Sequence, residues 1–190
     1  MPAFTLTELM LALVITTLIG GAVATMLFSA FRGTSDQEDR RELMINNTTA
    51  GLRLNAALRS SAMVLAKGAN FLVLWMDDTS SPYGFPQLSE LRRIERNPST
   101  NELWSYKAPP DLAEEDDAQY NLAATDFAAV TAALKGSATF PGELWARDVT
   151  GWTSYVNANP RQSAVVEYQM ITTLKGISET SVAATALRNH

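Results

Sequence analysis

One carboxylate stands apart from the other ionisable groups of the chain. Of the 15 Lys and Arg and 20 Asp and Glu side chains, residues 1–31 contain Glu8 alone. Leu9 to Phe31 then form a run of 23 uncharged, mostly apolar residues. A carboxylate at the start of an apolar helix is costly in lipid unless it has a partner or a function. No Lys, Arg or His precedes it, so the nearest available cation is an α-amino group. A cut between Ala3 and Phe4 would place the new amine of Phe4 one helical turn before Glu8. In an assembly of parallel helices, that amine could neutralise the Glu of a neighbouring subunit.

The other groups able to do chemistry are sparse. Cysteine is absent and the single histidine is His190. This composition removes thiolate metal sites, Cys nucleophiles and disulfides, and leaves no basis for a Ser-His-Asp triad or a His-based zinc centre. A net charge of −5 and a pI near 4.9 argue against nucleic acid as a partner. Asp77-Asp78 sit beside a strand end and a Ser/Pro/Gly loop, where turn residues are the simpler reading than an acid/base pair. Asp111, Glu114, Glu115, Asp116 and Asp117 offer oxygens to a hard cation, but lack the alternating spacing of a calcium loop; a solvated acidic loop is expected. The sequons at Asn46 and Asn47 fall on a predicted helix and are read as accidental. No Walker loop, dinucleotide fingerprint, Gly-x-Ser-x-Gly or metal-ligand cluster is present. No catalytic residue, metal or cofactor is therefore expected.

Several elements must position these residues. About 20 apolar residues span a bilayer as a helix, so Leu9–Phe31 is long enough. It is also longer than the apolar core of a cleaved secretory signal, and no basic stretch precedes it. The helical pattern continues over residues 32–66 through Leu43, Asn47, Ala50, Leu54, Ala57, Leu58, Ser61 and Leu65 at spacings of three and four. Gly68 is its expected stop, and Gly20, Gly21 and Gly33 are points where it could bend or melt. Phe71–Met76 reads as a buried strand, and Leu88–Glu95 with Glu102–Lys107 as a hairpin whose charges form a solvated face. A short helix is expected over Thr125–Lys135, then strands over Leu144–Val156 and Ser163–Ile171. The tail from Ser178 carries no clear packing signal and reads as flexible.

The segment Ala3-Phe4-Thr5-Leu6-Thr7-Glu8-Leu9-Met10-Leu11-Ala12-Leu13 resembles the cleavage and methylation motif of type IV pilins and type II secretion pseudopilins. The resemblance implies cleavage by a prepilin peptidase between Ala3 and Phe4, N-methylation of Phe4, and Glu8 as the assembly glutamate. The leader Met1-Ala3 departs from the family in being short, in lacking Lys or Arg, and in placing Ala where Gly is usual. Either the start codon then lies upstream, or a dedicated insertion route sets the orientation. Glu143–Trp152 followed by Asn159–Val166 resembles the late strand pair of J-type minor pseudopilins and W-type minor pilins. There, a Leu-x-x-x-Val-x-x-aromatic strand leads to a Pro-Arg-x-x-Val strand.

The expected fold is α+β and pilin-like: a leader (1–3), a membrane or filament-core helix (4–31), its amphipathic continuation (32–66), and a β-rich antiparallel head (67–190). The function implied is that of a minor pseudopilin in a type II secretion system, with a minor type IV pilin for adhesion, motility or DNA uptake as the alternative. A membrane-anchored periplasmic enzyme or binding domain is the remote third. The implied partners are other pseudopilins or pilins, met through the N-terminal helix, and the prepilin peptidase. The implied setting is the bacterial inner membrane, crossed once, with the head in the periplasm.

Overall fold

The computed structural model of the chain describes residues 5–76 and 84–188, except for the side chains of residues 32–36. The chain is α+β and falls into two compact units, Met1–Glu42 and Leu43–His190. The first unit is helical from Leu6 onward. It belongs to α1, Leu6–Ser60, which stays helical through Gly20, Gly21 and Gly33. The expected weak points are thus ordinary helical positions; a glycine there costs about 1 kcal/mol relative to Ala, too little to interrupt a long helix.

The second unit is built on the last part of α1. Leu43, Asn47, Ala50, Gly51, Leu54, Ala57 and Leu58 are buried, one stripe at helical spacing. Ala50, Leu54, Ala57 and Leu58 pack into a core with Leu72 and Leu74 of β2 (Phe71–Trp75), Ile94 of β3 (Leu91–Asn97) and Leu103 of β4 (Glu102–Lys107). The same core takes Trp145 of β5 (Gly142–Ala146), Trp152 of β6 (Val149–Tyr155), Tyr168 and Met170 of β7 (Val165–Leu174), and Leu187. The strands form two antiparallel sheets, ordered β1-β2-β3-β4-β5 and β6-β7-β8, with β1 at Met63–Lys67 and β8 at Ile177–Ala186.

A second core lies on the opposite face of the five-stranded sheet. Val73, Trp75, Leu91 and Leu65 meet Phe140 and Phe127, the latter on α2 (Phe127–Leu134). The strand Phe-Leu-Val-Leu-Trp is apolar at every position because both of its faces are covered. Asp126 caps α2, its carboxylate accepting from the amides of Ala128 and Ala129 at 3.0 and 3.1 Å.

Four expectations are corrected. The helix stops at Ser60 rather than Ala66, and residues 63–67 are β1. The hydroxyls of Ser60 and Ser61 turn back onto Ala56, Ala57 and Leu58 carbonyls and close the last turn. Leu144–Val156 is two strands in different sheets, broken at Asp148, whose φ of 60° turns the chain. The tail is not loose: Ile177–Ala186 pairs with β7 along its whole length. In the β3–β4 hairpin Arg93 is only 4% exposed, so its charges are not simply a solvated face.

Candidate functional site

The N-terminal end of α1 is built around Thr5 and Glu8. Glu8 Oε2 accepts from the Thr5 backbone amide at 2.9 Å and from the Thr5 hydroxyl at 2.9 Å. The Glu8 amide in turn reaches Thr5 Oγ1 at 3.4 Å. This is a capping box, in which a Thr at the N-cap and a Glu three residues later satisfy each other's amides. The Thr-x-x-Glu pattern of the sequence carries this signal, and it gives Glu8 a local, uncharged partner besides any α-amine. The carboxylate remains exposed, so its outer oxygen is open to a further donor.

The first 26 residues of α1, Leu6–Phe31, form a stretch long and apolar enough to cross a membrane. At 1.5 Å per residue it is about 39 Å long, against a hydrocarbon core of about 30 Å. Its large side chains are exposed on every side, from Leu9 and Met10 to Leu27, Phe28 and Phe31. Three of its hydroxyls are satisfied within the helix: Thr16, Thr17 and Thr25 donate to carbonyls three or four residues back, at 2.7 to 2.9 Å. These three hydroxyls therefore place no unmet donor on the surface of the segment. Ala3 and Phe4 lie outside the described residues.

In the head the charged groups hold elements together. Arg93 Nε donates to Glu95 Oε2 at 2.7 Å and Arg93 Nη1 donates to Thr131 Oγ1 and the Ala128 carbonyl at 3.1 and 3.2 Å, fastening α2 to the sheet. Lys135 Nζ reaches the other Glu95 oxygen at 2.9 Å. Burial pushes the Glu95 carboxyl up, but the hydrogen bonds and charges of Arg93 and Lys135 outweigh it and hold the group below the usual range. Arg96 joins the two sheets, donating to the Val149 carbonyl at 2.6 Å and to Asn101 Oδ1 at 2.8 Å.

The acidic loop is surface structure. Asp117 accepts from the amide and hydroxyl of Ser89 at 2.8 and 2.6 Å, while Glu114 and Glu115 point into solvent. Among the described residues no three His, Cys, Asp or Glu side chains come together as a metal site. Asp77, Asp78 and His190 lie outside the described residues. The chain matches no protein-family model, and no curated protein or solved structure matches it either.

Proposed function

We propose that the chain is a minor pseudopilin: a subunit that waits in the bacterial inner membrane with its head in the periplasm, and joins a short filament of a type II secretion system. In this reading a prepilin peptidase cuts between Ala3 and Phe4 and methylates the Phe4 amine. The helix Leu6–Phe31 then packs against those of other pseudopilins, with Glu8 set against a neighbour's amine. The role is structural rather than enzymatic. The observation that carries the reading is an exposed carboxylate at the head of a 26-residue apolar stretch of α1 in which no residue is buried. An α+β head with antiparallel sheets is compatible with a pilin-like layout.

Mass spectrometry of the N-terminal peptide, from membranes with and without the peptidase, tests the processing. The expected species begins at N-methylated Phe4 only when the peptidase is present; an intact terminus in both samples defeats the proposal. Two substitutions separate the capping role of Glu8 from its assembly role. Glu8→Gln keeps a side chain that completes a capping box but removes the charge, whereas Thr5→Ala removes the cap and keeps the charge. Sedimentable filament material should be lost in Glu8→Gln and retained in Thr5→Ala. The opposite ranking would make Glu8 a helix cap and nothing more. Co-purification with secretion or with pilus components decides between the type II system and a type IV pilus.

A further inference from the structure

The two sheets of the head have four edges, and three are protected. β1 is five residues long, carries a bulge between Val64 and Ala66, ends in Lys67, and lies beside the 3-10 turn Pro160–Gln162. β5 is five residues long, joins its neighbour through an irregular register, and has its Leu144 carbonyl taken by Arg53 at 3.5 Å. β6 is bulged between Val149 and Gly151. Short strands, bulges, lysines and covering segments are the devices by which proteins keep sheet edges from pairing with other chains.

Among the described residues, β8 has none of them. It runs ten residues with an unbroken register against β7, contains no Pro, Lys or Arg, and has β7 as its single strand neighbour among the described residues. The phase of its ladder follows from two bonds at the strand ends. The Leu187 amide donates to the Ala164 carbonyl at 2.9 Å, continuing the β7–β8 register, so the odd-numbered residues of β8 turn their amides and carbonyls toward β7. The Thr173 amide donates away from β8, to Asp148, as this phase requires of the residue opposite Ser178. Ser178, Thr180, Val182, Ala184 and Ala186 therefore aim their N–H and C=O groups off the sheet. The side chains of the same five residues are exposed and uncharged, and Val182 is 70% exposed.

We infer that the β8 edge is a strand-addition surface for a second copy of this chain, two β8 strands pairing antiparallel about a two-fold axis at Val182. The inference stands independently of the filament reading. Self-complementarity selects the occupant and the register. With Val182 opposite Val182, Thr180 faces Ala184 and Ser178 faces Ala186, so all five outward residues become hydrogen-bonded pairs, with about ten new bonds. Registers displaced from this one leave some of those groups unpaired. Glu179, the strand's one charge, falls opposite Thr185, so no like charges meet. An isologous contact of this kind closes as a dimer and does not propagate.

The chain has no cysteine, so single-thiol variants of the full-length protein in detergent are unambiguous probes. In the proposed register the two Val182 Cα atoms lie about 5.5 Å apart. Two copies of residue 180 are displaced by four residues along the strand, about 13 Å. A bismaleimide whose reach lies between these distances should convert most of Val182→Cys to a dimer and leave Thr180→Cys and Ala184→Cys monomeric. The double variant Thr180→Cys/Ala184→Cys should cross-link again, because those residues face each other. Val182→Lys, exposed and harmless to the core, should shift the uncross-linked protein to monomer in sedimentation. Equal cross-linking at 180, 182 and 184, a monomer throughout, or a dimer indifferent to Val182→Lys would each overturn the inference.

Discussion

Two stretches of α1 make the most instructive comparison in the molecule. Residues 9–31 and 43–60 belong to the same helix, yet the first exposes every large apolar side chain while the second buries one stripe and half-buries Asn46 and Asn55. The later stretch draws its stability from sheets supplied by its own chain: Ala50 and Ala57 are buried in their core, and Gly51 lies against the Tyr168 and Ser181 side chains. The earlier stretch has an apolar surface all round, a pattern that calls for lipid or other helices. Helix formation is therefore common to both, and the surroundings that each face requires distinguish them.

Paired substitutions should break the comparison most forcefully. Leu54→Ala empties a fully buried position and should cost the head about 2–5 kcal/mol, read from its thermal or denaturant midpoint. Leu13→Ala, in the exposed stretch, should leave that midpoint unchanged. Equal effects would mean that the two stretches share one environment after all. A smaller effect is expected where the buried stripe turns polar. Asn55 Nδ2 donates to Tyr168 Oη at 3.1 Å, and Tyr168 Oη donates to the Gly51 carbonyl at 3.3 Å. Tyr168→Phe should therefore cost about 1 kcal/mol, read from the denaturant midpoint, with the slope of the transition unchanged.

The smallest effect depends on pH and lies wholly in the head. Because Glu95 is held below its ordinary carboxylate value near 4.5, the folded state releases its proton more readily than the unfolded one. Its contribution is fully present above that value and disappears as pH falls through the lower folded one. Glu95→Gln should accordingly lose stability at neutral pH and show a shallower decline in stability below pH 4.5, measured by denaturation at a series of pH values. An unchanged slope would remove Glu95 from the account.

How legible these features were differs from one element to the next. The apolar span, the buried stripe, β2 and the Asp126-capped helix follow from periodicity and capping chemistry, both local properties. Leu65 continues the spacing of three and four that predicts helix past Ser60, yet it packs in the second core as a strand residue. Ser60-Ser61 was the missed stop. β8 looked unstructured because its inward residues, Ser181, Ala183 and Thr185, are small, and a strand facing a close helix needs nothing larger. Its signal was Lys175-Gly176, both at positive φ of 49° and 84°, a two-residue hairpin turn between runs rich in β-branched residues. Arg93 could not be read as buried from the hairpin alone, since Thr131, which receives it, lies 38 residues away.

The Asn55 contacts have a mechanical consequence. Asn55 reaches both Tyr168 on β7 and, at 2.5 Å through its Oδ1, the Thr185 hydroxyl on β8, while Gly51 one turn earlier lies against Tyr168 and near Ser181. Contacts on the helix and on β8 thus advance in the same direction along the chain. A pull along residues 43–60 would strain them together in shear, as in a lap joint, instead of peeling them one by one. The head is consequently fastened to its own helix in the geometry that best resists traction along that axis.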